Sequence, residues 1–213
     1  MYRRLVLGGA ALAAAATMTL TAAGPASAAP SAAPAAAPAG VANKLFRAWL
    51  AADRAAAAKV ATPAAVASIF SYPYRAPDRF AGCSGAVCRF THTSVRVPGG
   101  LDGLAMVVKG SKVTKVYRSR HVTKPATAAT RLFAAWRHGD RYSALEVAST
   151  GAVKTLFKVR YDPRGVAHHF QGCTAEPKGF ACAYSYEGGA MLMHVRGTRS
   201  SGYEVGSISY LAD

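Results

Sequence analysis

Residues 42–70, ANKLFRAWLAADRAAAAKVATPAAVASIF, and residues 129–157, ATRLFAAWRHGDRYSALEVASTGAVKTLF, are two versions of one stretch set 87 positions apart. Laid over each other without a gap, they share 13 of 29 residues. Alanine supplies some of those matches. The pairs Leu45/Leu132, Phe46/Phe133, Trp49/Trp136, Asp53/Asp140, Arg54/Arg141, Val60/Val147, Val66/Val153 and Phe70/Phe157 owe nothing to it. Self-similarity at a fixed offset marks a duplicated folding unit, so the chain divides into a first repeat, residues 41–124, and a second, residues 125–213.

Each repeat opens with an amphipathic helix, because its Leu, Phe and Trp fall at i, i+1 and i+4 on one face. Asp53-Arg54 and Asp140-Arg141 then start a second short helix, with the aspartate placed to accept from the free amides of the first turn. Thr62-Pro63 and Ser149-Thr150 start a third, proline being tolerated in a first turn where its missing N–H is not needed. After the helices the period changes. In the second repeat, residues 168–173, 180–187, 190–196 and 203–211 are short aromatic and branched runs between turn residues, the pattern of an antiparallel meander. The first repeat gives the same series over residues 80–83, 87–97, 104–109 and 112–118. Helices followed by strands, twice, predict an α+β fold of two tandem repeats, each with two to three helices packed on a curved antiparallel sheet of about four strands.

The amino terminus reads as a secretory signal over residues 1–28: Arg3 and Arg4, an apolar run from Leu5 to Leu20, and Ala26-Ser27-Ala28 as a small-residue cleavage site. An uncleaved membrane anchor competes with it, though the run is mostly weakly apolar alanine. Export through the general secretory route or the twin-arginine route stays open. Residues 29–40 are alanine and proline with one serine, a composition that cannot bury a core and predicts a disordered linker. Such a leader places the four cysteines in an oxidising compartment. Cys83 and Cys88 lie in one repeat and Cys173 and Cys182 in the other, each pair behind a matching Phe-x-Gly-Cys, so one bridge per repeat is expected. A four-thiolate zinc site would need C-x2-C-type spacing. No metal or cofactor is expected.

The chain carries 26 Lys and Arg against 10 Asp and Glu, a formal net charge of +16. Most of the excess belongs to the first repeat, with 14 basic and three acidic residues. Its densest run is Lys109, Lys112, Lys115, Arg118, Arg120, His121 and Lys124, a candidate surface for polyanions. Aromatic residues other than Tyr117 do not interleave it, which argues against base stacking and nucleic acid. The expected partners are therefore an anionic wall polymer or lipid surface, with a secreted protein as the alternative.

The motif LFAAWRHGDRYSALEVAS, followed by a meander ending in SGYEVGSISY, resembles the cone-shaped superfamily that contains ketosteroid isomerase and nuclear transport factor two. The resemblance covers each repeat and rests on pattern and order. It implies a curved sheet wrapped over helices, with a pocket in the cone's mouth, and it implies no chemistry, since that fold hosts enzymes, carriers and interaction modules. Enzymes of that superfamily place a carboxylate or histidine deep in the cone. Here Asp140, Tyr142 and His194 are the candidates, with His168 and His169 on opposite faces of their strand. Asp140 is matched by Asp53, which favours a helix cap, and no serine nucleophile elbow or phosphate loop is present. The expectation is a secreted, monomeric, non-enzymatic binding protein. The alternatives are a small-ligand carrier or enzyme using the second cone, and an inhibitor of a secreted enzyme. The latter is suggested by a layout similar to that of the beta-lactamase inhibitory proteins.

Overall fold

The computed structural model describes residues 37–212, and the expected signal and most of the linker lie outside them. Six helices and two four-stranded antiparallel sheets alternate as two α+β repeats. The first repeat holds α1 (Pro38–Leu50), α2 (Arg54–Val60), α3 (Pro63–Phe70), β1 (Arg79–Ser84), β2 (Val87–Thr91), β3 (Gly103–Lys109) and β4 (Lys112–Arg118). The second holds α4 (Pro125–Arg137), α5 (Arg141–Leu145), α6 (Thr150–Leu156), β5 (His169–Glu176), β6 (Gly179–Tyr186), β7 (Gly189–Thr198) and β8 (Gly202–Ala212). Each sheet is a meander in chain order.

Two expected boundaries move. The linker was expected to run to Gly40, but α1 begins at Pro38, where proline's fixed φ suits the first helical position. The run expected as a strand over residues 87–97 stops at Thr91. Beyond it the backbone leaves the sheet: His92 N and Val97 N donate to Asp102 within the loop, and Gly99 N, Gly100 N and Leu101 N donate to the other repeat.

The sequence match is a structural match. Asp53 Oδ1 accepts from Ala56 N at 2.8 Å, and Asp140 Oδ1 from Ser143 N at 3.0 Å. Ser149 and Thr62 cap α6 and α3 in the same way. Helices α1 and α4 end in the same six-to-one turn, Asp53 N to Ala48 O at 2.8 Å and Asp140 N to Ala135 O at 2.9 Å. The left-handed residue in that turn is Gly139 in one copy and Ala52 in the other, at φ 66° and 57°. Phe46 stacks on Phe90 with centroids 4.2 Å apart, and Phe133 on Tyr184 at 4.1 Å. The cysteines close one disulfide in each repeat, joining directly opposed residues of β1–β2 (Cys83–Cys88) and β5–β6 (Cys173–Cys182). One residue before each clasp the first strand bulges at Gly82 and Gly172, whose φ of 95° and 92° call for glycine. Each repeat has its own core, centred on Leu45, Trp49, Phe90 and Met106 in the first and on Leu132, Leu156, Met191 and Met193 in the second.

The repeats pack as one compact unit. The face of β1–β4 turned away from its own helices carries Ala105, fully buried, and the 92–102 loop folds across this side. That loop runs over α5 and the α5–α6 turn: Gly100 N donates to Ala148 O at 2.7 Å and Leu101 N to Leu145 O at 3.2 Å. Gly99 is required there, because a Cβ would lie 2.8 Å from the carbonyl oxygens of both Leu145 and Glu146. At the centre is Glu146, whose side chain is 7% exposed. It accepts from Arg118 N at 3.0 Å and from Arg120 Nε, while Arg120 N donates to its own carbonyl at 3.0 Å. Tyr203 N donates to Val122 O at 2.9 Å and closes the seam.

Removing one partner of a buried charge pair strands the other, at a cost set by how far water can reach it. Arg120 is one-third exposed, so Glu146→Ala should lower unfolding stability by about 2–3 kcal/mol in chemical denaturation. Its exposed counterpart change, Lys59→Ala, should stay within about 0.5 kcal/mol.

Candidate functional site

The three candidate acid–base residues do not share a pocket. Asp140 uses Oδ1 on the amides of Tyr142 and Ser143, at 3.1 and 3.0 Å, and Oδ2 on the Tyr117 hydroxyl at 3.0 Å. Both of its oxygens are occupied in structure. Tyr142 packs beside Tyr117, with ring centroids 5.6 Å apart, at the seam with the first repeat. Burial, before the Asp140 contact, holds the Tyr117 hydroxyl well above the usual phenol range. His194 lies between Met193 and Val195, both buried in the helix-side core, so strand alternation turns it to the opposite face of the sheet. There Nδ1 is 3.0 Å from Glu176 and Nε2 is 2.9 Å from the Ser209 hydroxyl. Arg196 also donates to Glu176. That hydrogen bond, then the one to His194, draws the Glu176 carboxyl below its usual range.

The six cations expected to bind polyanions are not one free surface. Lys109, Lys112, Lys115 and Lys124 are exposed, as is His121. Arg118 turns inward and donates to Ser68 O at 2.9 Å and Ser71 Oγ at 2.6 Å, tying α3 to β4. Arg120 is spent on Glu146. Among the described residues no helix is long and apolar enough to cross a membrane, and no three His, Cys, Asp or Glu residues are grouped as metal ligands.

The two repeats differ where the first strand of each sheet begins and the second ends. In the first repeat, two residues before Phe80 and two after Phe90, stand Asp78 and His92, their side chains wholly buried and 2.9 Å apart at Oδ2 and Nδ1. The contact is not aligned as a hydrogen bond, and both Asp78 oxygens lack a hydrogen-bond partner. His92 Nε2 is 2.6 Å from the Tyr72 hydroxyl. Burial raises the Asp78 carboxyl above its ordinary range, against the opposing pull of His92, and burial likewise raises the Tyr72 hydroxyl. The sequence alone did not pick out this group, because its three members are spread over 21 residues and lack counterparts in the twin.

The same two positions in the second repeat are His168 and Tyr186. With Trp136, Tyr161 and Tyr210 they line a cavity of ≈ 270 Å³. His168 lies 5.4 Å from Trp136, 5.2 Å from Tyr186 and 5.7 Å from Phe133, centroid to centroid. Its Nδ1 sits 3.0 Å from Val166 O, leaving Nε2 without a partner among the described residues. His169, next along, faces a separate depression with Ser185 and Glu187. Trp136 Nε1 donates to Val159 O at 2.8 Å, whereas Nε1 of its twin Trp49 has no partner. Of the seven exposed large apolar side chains among the described residues, five belong to the second repeat, and Val159, Val166 and Tyr210 stand at this cavity. Comparison with protein-family models, curated proteins and solved structures finds no match for the chain.

Burial first, then neighbouring His169, lowers the His168 pKa below the ordinary imidazole value. The folded state thus prefers the neutral ring, and its contribution is present above the ordinary imidazole pKa and lost as pH falls through the folded one. Thermal melts between about pH 8 and about pH 5 should show a steeper acid-side loss for the native chain than for His168→Phe, which keeps the aromatic packing but cannot titrate.

Proposed function

We propose that this chain is a secreted, non-enzymatic binding protein held near anionic envelope material by its first repeat. The observation that carries the reading is how that repeat uses its three carboxylates. Asp53 caps α2, Asp78 is buried against His92, and Asp102 accepts from Val97 N inside the 92–102 loop at 2.8 Å. Fourteen basic residues therefore face solvent or structure with almost no free acidic residue beside them. Such a field attracts polyanions at long range and weakens as salt shortens the screening length. Two disulfides per chain and a leader of signal type favour export. The scattering of Asp140, Tyr142 and His194 favours binding over catalysis. Retention on phosphatidylglycerol vesicles and on anionic wall polymer should be strong at about 50 mM salt and largely lost at about 500 mM, with Lys109→Ser/Lys112→Ser/Lys115→Ser weaker throughout. Retention that ignores salt, or none at low salt, defeats the reading.

The aromatic cavity of the second repeat supports a second activity, the carriage of a small ligand in a cone of the type the sequence suggests. Four rings, a partnerless histidine nitrogen and an exposed apolar rim suit a flat apolar molecule with one hydrogen-bond donor. Trp136 is its natural reporter, because Trp49 is wholly buried in the other core. Titration with 2-naphthol should quench Trp136 saturably, and Tyr186→Ala should weaken the binding by about tenfold. A linear, non-saturating response removes the carrier reading.

A further inference from the structure

We propose that the groove between α2, α3 and the start of β4 docks an extended acidic segment of a partner protein. Arg54, Ala58, Ala61, Pro63, Val66 and Lys112 line it, and its volume is ≈ 700 Å³. Shifted by the repeat offset, Ala58, Ala61, Pro63 and Val66 become Leu145, Ala148, Thr150 and Val153. That is the surface of the second repeat on which residues 97–101 lie. The protein thus contains a worked instance of what such a groove receives: an extended backbone that donates to Ala148 O at 2.7 Å and to Leu145 O at 3.2 Å.

In the first repeat the corresponding acceptors are exposed to a newcomer. The Ala61 carbonyl accepts no hydrogen bond from the described residues, and the Ala58 carbonyl accepts only from the exposed Lys112 Nζ, at 3.0 Å. The groove is also wider than its twin. A Cβ on Gly100 would come within 2.6 Å of Leu145 Cδ2, and Ala58 has no such atom. A segment docking here can therefore carry a side chain at the position of Gly100, while the position of Gly99 still faces backbone carbonyls.

Charge selects the partner. In the docked twin, Glu146 is paired with Arg120, which lies beyond β4 and outside the docked residues 97–101; those five residues carry no charge, so the charge of a segment docking on the first repeat is set by the cations that line its groove. The position of Glu146 is held by exposed Lys59 in the first repeat, flanked by exposed Arg54 and Lys112. With cations at the receiving surface, the incoming segment must present carboxylates. A second copy of this chain does not meet that requirement. Its own residues 97–101 are engaged on its own second repeat, and its β6–β7 connection is the two-residue turn Glu187-Gly188, with no loop to offer.

The test uses the full chain and a fluorescein-labelled peptide Val-Pro-Gly-Gly-Leu-Glu-Glu, read by anisotropy at about 150 mM salt. Saturable binding is expected. Lys59→Glu should weaken it by about tenfold and transfer preference to the peptide ending in two arginines. Ala58→Trp, on an exposed position, should fill the groove and abolish binding while the melting temperature is unchanged. The proposal is overturned by no saturable binding to the native chain. It is equally overturned if a scrambled acidic peptide binds as well as the ordered one, or if Ala58→Trp binds undiminished, since attraction to the cationic repeat as a whole then explains the signal.

Discussion

The buried carboxylate of Glu146 is the contact on which the arrangement of the molecule depends. Two repeats with separate cores and separate disulfides could sit side by side in many ways. A carboxylate that is nearly all buried tolerates only those in which its oxygens are satisfied, and here Arg118 N and the Arg120 guanidinium satisfy it. The direction of the chain after β4 follows, because Arg120 must stop at Glu146 before Val122 can pair with Tyr203. So does the course of the 92–102 loop, which is held against the same turn by Leu145 and Ala148. The 92–102 loop and the end of β4 in one repeat are thereby seated on α5 and the α5–α6 turn of the other.

A seam of this kind lets the two copies take different work. The position of Asp78 and His92 is filled in the first repeat by a buried polar pair that Tyr72 extends, so this end of the sheet is filled by its own side chains. In the second repeat the same positions carry His168 and Tyr186, and aromatic walls enclose space instead of a charge. Burial acts on both sites with opposite chemical results. It pushes a carboxyl toward its protonated form in one and an imidazole toward its neutral form in the other. Each site thus avoids an uncompensated charge, one by pairing and one by neutrality.

The duplicated core, the helix starts at Asp53, Thr62, Asp140 and Ser149, and the pairing of the cysteines were legible because each rests on local chemistry: a period, a cap, a matching spacing. What escaped was set by the other repeat. Little in residues 87–97 marks where β2 stops, since apolar residues recur along the whole run at Val87, Phe90, Val95 and Val97, and the surface that Gly100 and Leu101 reach belongs to the other repeat. Arg118 and Arg120 read as members of a basic run, yet folding turns one under α3 and the other onto a carboxylate 26 positions away. His194 stood with Asp140 and Tyr142 among the acid–base candidates, and the strand alternation visible in Met193 and Val195 puts it on the far face of the sheet. The buried polar group was hidden for a different reason: Tyr72, Asp78 and His92 come from three separate segments and break the internal symmetry that made the rest readable.

A contact between unlike faces of two like units has no natural end. If the β2–β3 loop of repeat one fits the helix turn of repeat two, a like loop in repeat two would fit the helix turn of another chain's repeat one, and open filaments would follow. Two local changes break that series. Lys59 stands where the receiving surface of the second repeat has Glu146, so the receiving face on the first repeat no longer accepts Arg120-like donors. The β6–β7 connection is cut to Glu187-Gly188, so the sheet of the second repeat has no loop to reach with. Its outer face is further occupied by the Glu176, His194 and Arg196 network, which satisfies its own charges. Divergence at these two surfaces removes the identity that would have made the chain polymerise, while the Leu, Phe and Trp of the opening helices, where identity is harmless, stayed alike.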